Sequence, residues 1–152
     1  MKQWPDLDKV LALTEVERAY IAGFFDGEGS VSLNISQSKK QDVSDVRLVV
    51  SIGQKRGSVL KWLHELFGGS LFLRVRNDRG YSTRDGTIGV WSITNSDSLR
   101  IFYRTVKPYL RLKAEELDMA MESYNNPDVT IEEVEAVIEN IRELRSVGEK
   151  YD

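Results

Sequence analysis

The chain has 152 residues, 41% hydrophobic and 30% charged, with no cysteine, one histidine and a net charge of −3. That is the size and balance of one ordinary globular domain with its own core; the absent cysteines exclude disulfides and thiolate metal sites, and His64 alone excludes a histidine cluster within one chain. No apolar run approaches the roughly 20 residues that span a bilayer, and MKQWPDLDKV lacks the order of a signal peptide, so the expectation is an intracellular protein, cytoplasmic or organellar, without a membrane partner.

Residues 2–13 read as a short lead-in, with Trp4 and Leu7 available to pack on the core. Thr14 followed by Glu17 is a capping-box signal, and the spacing predicts a helix from about Glu15 to Phe25. The stretch Tyr20-Ile21-Ala22-Gly23-Phe24-Phe25-Asp26-Gly27-Glu28-Gly29-Ser30 organises the rest. Ala22 and Gly23 remove volume where a helix normally buries it, which suits close approach of another backbone. After the helix, the glycines beside Asp26 and Glu28 allow a sharp turn and leave the Gly27 carbonyl open. Two carboxylates and a carbonyl are ligands for a hard cation, although DGEG is also a common turn.

From Ser30 to Lys40 the pattern alternates. Val31, Leu33 and Ile35 point inward, with Ser32, Asn34, Ser36 and Ser38 outward. A polar turn leads to a second strand, Val46 to Gly53, with Leu48, Val50 and Ile52 inward and Arg47, Val49 and Ser51 outward. Ser58 is expected to cap a helix through Leu60, Leu63, Leu66 and Phe67 that Gly68-Gly69 stops. A third strand puts Leu71, Leu73 and Val75 inward and Phe72, Arg74 and Arg76 outward. The loop Asn77 to Gly86 carries Arg79, Tyr81 and Arg84. The fourth strand, about Thr87 to Thr94, brings Trp91 and Ile93 to the core and Ser92 to the other side. Asn95 or Ser96 caps a helix closed by Pro108, and another helix runs from Leu112 to Tyr124. Past Asn125-Asn126-Pro127-Asp128, Thr130 and Glu133 form a second capping box. It opens an acidic helix with Ile131, Val134, Ile138, Ile141 and Arg145 at helical spacing.

Charge is divided along the chain. Residues 31–113 hold 15 Lys and Arg against 6 Asp and Glu, whereas residues 114–152 hold 3 against 12. A basic middle with an acidic tail is the footprint of a face that binds a polyanion. One strand with polar outward residues is a solvated face. Four in one sheet, carrying hydroxyl, amide and guanidinium groups, make a surface able to read base edges in a major groove. Lys39, Lys40, Lys55 and the Arg79–Arg84 loop fall at strand ends, suited to backbone phosphates. The expected partner is double-stranded DNA or structured RNA, not a small-molecule substrate.

The run YIAGFFDGEGS resembles the signature of the LAGLIDADG homing endonucleases, and the element order αββαββα resembles their fold. Gln54, within Ser51-Ile52-Gly53-Gln54-Lys55, falls where single-motif members often carry a polar residue near the catalytic centre. Pro108-Tyr109-Leu110-Arg111-Leu112-Lys113 looks like the family's Pro-aromatic-Leu-Lys-Leu-Lys segment. The resemblance covers about residues 14–125 and implies an α+β fold with a four-stranded antiparallel DNA-binding sheet. The whole is expected to be one domain over 1–152, with an acidic helical extension at about 128–148. It implies that Asp26 ties down the helix end, that Glu28 with the Gly27 carbonyl binds metal, that Gln54 positions water and that Lys113 is the catalytic lysine. Many relatives have Asp where this chain has Glu28. Mg²⁺ is the implied cofactor, with Mn²⁺ substituting and Ca²⁺ binding without supporting cleavage. A single motif copy further implies a homodimer packed through Tyr20, Ala22, Gly23, Phe24 and Asp26. It would cut both strands of a near-palindromic site and leave short 3′ overhangs. The same fold also serves intron RNA maturases and noncatalytic regulators, and retention of Glu28 with Lys113 favours the nuclease. A structural αβ protein is the remaining alternative.

Overall fold

Asp6 opens the first helix. Its carboxylate accepts from the Lys9 N–H at 3.2 Å, and α1 runs over Leu7–Leu11. The sequence reading expects only a lead-in here, packed through Trp4 and Leu7. In the computed structural model, which describes residues 3–37, 44–75 and 87–146, Trp4 is instead 70% exposed and Leu7 52%, while Val10 and Leu13 are buried. Within α1 only Val10 is buried, and Leu13, just past the C-cap Ala12, is the next side chain to enter the core.

Thr14 starts α2, Glu15–Glu28, through a complete capping box: Thr14 Oγ1 accepts from the Glu17 N–H at 3.1 Å and Glu17 Oε1 from the Thr14 N–H at 3.0 Å. The helix continues three residues beyond the expected end at Phe25, so Asp26, Gly27 and Glu28 form its last turn. The expected sharp glycine turn is absent: Gly29, the C-cap, is extended at φ −84° and ψ 165°. Gly29 is glycine for another reason, since a Cβ there would collide with the Phe25 ring.

The chain then forms β1 (Gly29–Gln37), β2 (Ser44–Gln54), α3 (Ser58–Phe67), β3 (Ser70–Val75), β4 (Thr87–Ile93) and α4 (Ser96–Val106). A 3₁₀ turn at Lys107–Tyr109 follows, then α5 (Ala114–Asn125) and α6 (Ile131–Ser146). The strands make one four-stranded antiparallel sheet in the order β1-β2-β4-β3. Ser51 stands opposite Ser92 and Ile52 opposite Trp91 on β2 and β4, while Ser70 and Leu71 of β3 face the same Ser92 and Trp91. Gly57, not Ser58, is the N-cap of α3, and it makes no side-chain cap bond. Asn95 caps α4 through the Ser98 N–H at 2.8 Å.

Two compact units emerge, Met1–Ser30 with Val50–Leu112, and Val31–Val49 with Lys113–Asp152. In the first, Phe102 is the centre of an aromatic cluster, edge-on to Phe25 and to Phe67 at 5.2 Å each and 5.6 Å from Trp91. These four rings are fully buried, and the Trp91 indole N–H satisfies itself on the Gly68 carbonyl at 2.9 Å. Gly68 and Gly69 both take positive φ, 73° and 86°, where a side chain is strained. In the second unit Val31, Leu33 and Leu48 are buried, as are Leu117, Met121, Val134 and Ile141 of the two last helices. Leu73 departs from its expected place in the core and is 76% exposed. It lies on the edge strand opposite Gly89, which offers no side chain to pack against.

Candidate metal and nucleic-acid site

The two acids of the motif separate completely in role. Asp26 is buried, and its carboxylate accepts from the backbone N–H groups of Arg111 at 2.8 Å and Leu112 at 3.2 Å. Those bonds tie the last turn of α2 to the main chain of residues 111 and 112, and α5 begins at Ala114, two residues later than the expected Leu112. Glu28, two residues on, is exposed. Gly27 is exposed with nothing within 4 Å of where its Cβ would stand. Its carbonyl belongs to the last turn, whose oxygens have no N–H four residues ahead within the helix. An exposed carboxylate, end-of-helix carbonyls and the negative pole of the helix dipole form a donor set that suits a hard divalent cation.

On the same unit, Ser30, Ser51, Ser92 and Ser70 form a row across the four strands, on the side opposite Ile52 and Trp91. Ser30 and Ser51 hydroxyls are 2.9 Å apart, and Ser70 and Ser92 hydroxyls 3.0 Å. Gln54 closes β2 half-buried, its side-chain oxygen accepting from the Lys55 N–H at 2.8 Å, and Lys55 is exposed. Because β1 and β2 are antiparallel neighbours joined at Ser30 and Ser51, Glu28 and Gln54 fall at the same end of that pair. Phe72 is 48% exposed on the outward side of β3.

On the other unit, Ser32, Asn34 and Arg47 are exposed, and Asn34 donates to the Ser32 hydroxyl at 3.2 Å. Lys113 is half-buried, and its carbonyl accepts from the Leu117 N–H at 3.0 Å as the N-cap of α5. Ser38, Lys39, Lys40, Arg76, Arg79, Tyr81 and Arg84 lie outside the described residues, and of Ser36 and Arg74 only the backbone is described.

The expected interface residues also divide. Ala22 is fully buried within the chain, and Asp26 is turned inward as described. Residues one apart on a helix point 100° apart; Ala22 shares the core face with Ile21 and Phe25, whereas Gly23 does not. The open face is Val16, Ala19, Tyr20, Gly23 and Gly27, all exposed. Tyr20 stacks on half-buried Phe24 at 6.2 Å. The positions run i, i+3, i+4, i+7 and i+11, a periodicity visible in the sequence once Ile21 and Phe25 fix the core side. The Arg111 and Leu112 N–H groups that anchor Asp26 carry no signal of their own in sequence.

A family model described as LAGLIDADG endonuclease matches residues 21–119. The reverse gyrase of Thermococcus kodakarensis is 32% identical over 111 residues, 72% of this chain, and the match spans only 6% of that much longer protein. Among solved structures, the homing endonuclease I-CvuI in complex with the I-CreI target has a TM-score of 0.65 at 20% identity, covering 90% of this chain and 87% of that one. The archaeal intron-encoded homing endonuclease I-Vdi141I, complexed with DNA, has a TM-score of 0.63 at 23% identity, covering 91% and 90%.

Proposed function

The chain belongs to the LAGLIDADG endonuclease family, and from that premise we propose that it is a site-specific homing endonuclease acting as a homodimer. Two copies bind a long, near-palindromic double-stranded DNA site and hydrolyse one phosphodiester on each strand, leaving short 3′ overhangs. The observation that carries this reading is the division of labour at the end of α2. Asp26 spends its carboxylate on Arg111 and Leu112, so Glu28 is the outward acid there, and a second carboxylate comes from Glu28 of a second copy. The exposed small-residue face of α2 supports the pairing, because Ala19, Gly23 and Gly27 allow two helix backbones to approach closely. A two-fold dimer reads a site with matching symmetry.

Glu28 and the Gly27 carbonyl fit Mg²⁺, and Mn²⁺ shares their oxygen-donor chemistry; Ca²⁺ occupies the same donors without supporting cleavage. The bound cation supplies the Lewis acidity that makes water a nucleophile at neutral pH and steadies the leaving oxygen. Gln54 orients the attacking water. Lys113 offsets the charge that develops on the phosphorus oxygens. Ser32, Asn34, Arg47, Ser51 and Ser92 present donors and acceptors to base edges, and Lys55 meets phosphate.

Wild type and Glu28→Gln are compared on a library of near-palindromic duplexes, with Mg²⁺ or with EDTA. Metal-dependent double-strand cuts that vanish in the variant while binding persists are the expected result. Tight binding without cuts in any metal moves the reading to an intron RNA maturase or a regulator, and no binding at all overturns it.

A further inference from the structure

Arg145 sits near the end of α6, and its guanidinium joins three elements of one unit. Its Nη2 donates to the carbonyl oxygen of Val31 in β1, and its Nε donates to Glu116 Oε2 in α5 at 3.2 Å. Glu116 is buried, where a carboxylate without a partner is costly. The planar guanidinium presents separate N–H groups to a carboxylate and a carbonyl in a fixed geometry, where a lysine offers one compact ammonium.

The carbonyl it meets is unusual in position. β1 lies at one edge of the sheet, and an edge strand has backbone groups without a neighbouring strand to take them. Val31 immediately precedes Ser32, and Ser32 with Asn34 forms the exposed, hydrogen-bonded pair on the outward side of β1. α6 flanks this strand without covering that pair. Between them runs a groove of about 540 Å³, with Ser32 and Asn34 on one wall and Glu135, Glu139 and Arg142 on the other. On that wall Arg142 lies 3.7 Å from Glu139, and Ser32 and Asn34 stay exposed on the strand side.

We infer that Arg145 is a positioning residue for sequence reading: it braces β1 against α5 and α6, so that Ser32 and Asn34 meet base edges in a fixed register. This rests on the DNA-binding reading above. It also gives the acidic C-terminal helices a task, one that involves no contact with DNA.

The test measures affinity for duplexes carrying single base-pair changes across the half-site. Wild type, Arg145→Ala, Arg145→Lys and the Ser32→Ala/Asn34→Ala double variant are compared, each shown folded by circular dichroism. Discrimination of about 5- to 150-fold per mismatched pair is usual for specific binding. In Arg145→Ala it is expected to fall toward equality at the same contiguous pairs that the double variant loses, and to persist elsewhere. Arg145→Lys should be intermediate. The salt dependence of binding should stay as in wild type, since a lost phosphate contact would reduce the salt slope by about one. Unchanged discrimination, uniform loss across the site or a reduced salt slope overturns the inference. Amide exchange supplies a readout independent of DNA: Ser32 to Ile35 should exchange faster in Arg145→Ala, with β4 unaffected, and equal protection in β1 overturns the brace. A wild type that binds no DNA sinks the proposed function, and the exchange measurement then decides the brace alone.

Discussion

The backbone N–H of Arg111 donates to Asp26 Oδ2 at 2.8 Å, a bond that joins positions 85 apart in sequence. With the Leu112 N–H on the other oxygen, one buried carboxylate ties the last turn of the motif helix to the main chain of residues 111 and 112. Asp26 therefore holds the end of the motif helix in place.

Asp26→Ala removes two charge-assisted hydrogen bonds. Such bonds are individually worth about 1.5–3 kcal/mol, and water partly replaces them on the exposed Arg111 and Leu112. A loss of about 2 kcal/mol is expected in urea denaturation, seen as a lower midpoint at unchanged slope. Asp26→Asn should fall between, because an amide accepts one N–H and presents its own donors to the other. Equal stability of Asp26→Ala and wild type would remove the anchoring role.

The two glycines that flank Glu28 should respond oppositely to alanine. At Gly29 a new Cβ meets the Phe25 ring in the aromatic core, and overpacking of this sort costs about 1–3 kcal/mol. At Gly27 the space is open and the residue is helical, so alanine should stabilise the isolated chain by up to about 1 kcal/mol. Thermal melts of the two variants check both signs. A destabilised Gly27→Ala monomer would contradict the open environment.

Periodic and capping signals were legible in the sequence. Thr14 with Glu17 and Thr130 with Glu133 announce helix starts that the structure makes with both reciprocal bonds. Alternation placed Leu48, Val50, Ile52, Trp91 and Ile93 in the core, where they are fully buried. These patterns are local, so the chain itself carries them. The errors have the opposite character. Leu73 alternates correctly but sits opposite Gly89 on an edge strand, a fact of strand order that periodicity does not encode. α2 runs on to Glu28, where Gly29 turns extended, and the partners of Asp26 in its last turn include main-chain groups of residues 111 and 112. In sequence Arg145 is one more position at the helical spacing of Ile131, Val134, Ile138 and Ile141. Its bonds to Val31 and Glu116 depend on tertiary placement.

Gly23 tests the pairing of two copies. It is exposed with nothing within 4 Å of its Cβ position, so Gly23→Leu should leave the monomer folded while blocking backbone approach. Sedimentation equilibrium is expected to show a dimer for wild type and a monomer for the variant. Cleavage of a palindromic duplex should be lost along with the dimer. A Gly23→Leu protein that stays dimeric would move the interface off this face of α2.

Lys113 separates chemistry from binding. It follows the two residues bonded to Asp26 and is the N-cap of α5 without a side-chain cap bond, so the side chain can be changed with the helix start retained. If the ammonium acts on the transition state, Lys113→Met should lower single-turnover cleavage by about 10²–10³-fold, the usual cost of removing one preorganised electrostatic donor. Affinity for the uncut site should change by only a few-fold, since one phosphate contact among many contributes little. Lys113→Arg keeps the charge in a different shape and should recover part of the rate. If affinity and rate fall together in Lys113→Met, the lysine binds DNA instead of assisting the reaction, and the catalytic role passes to Glu28 and Gln54 alone.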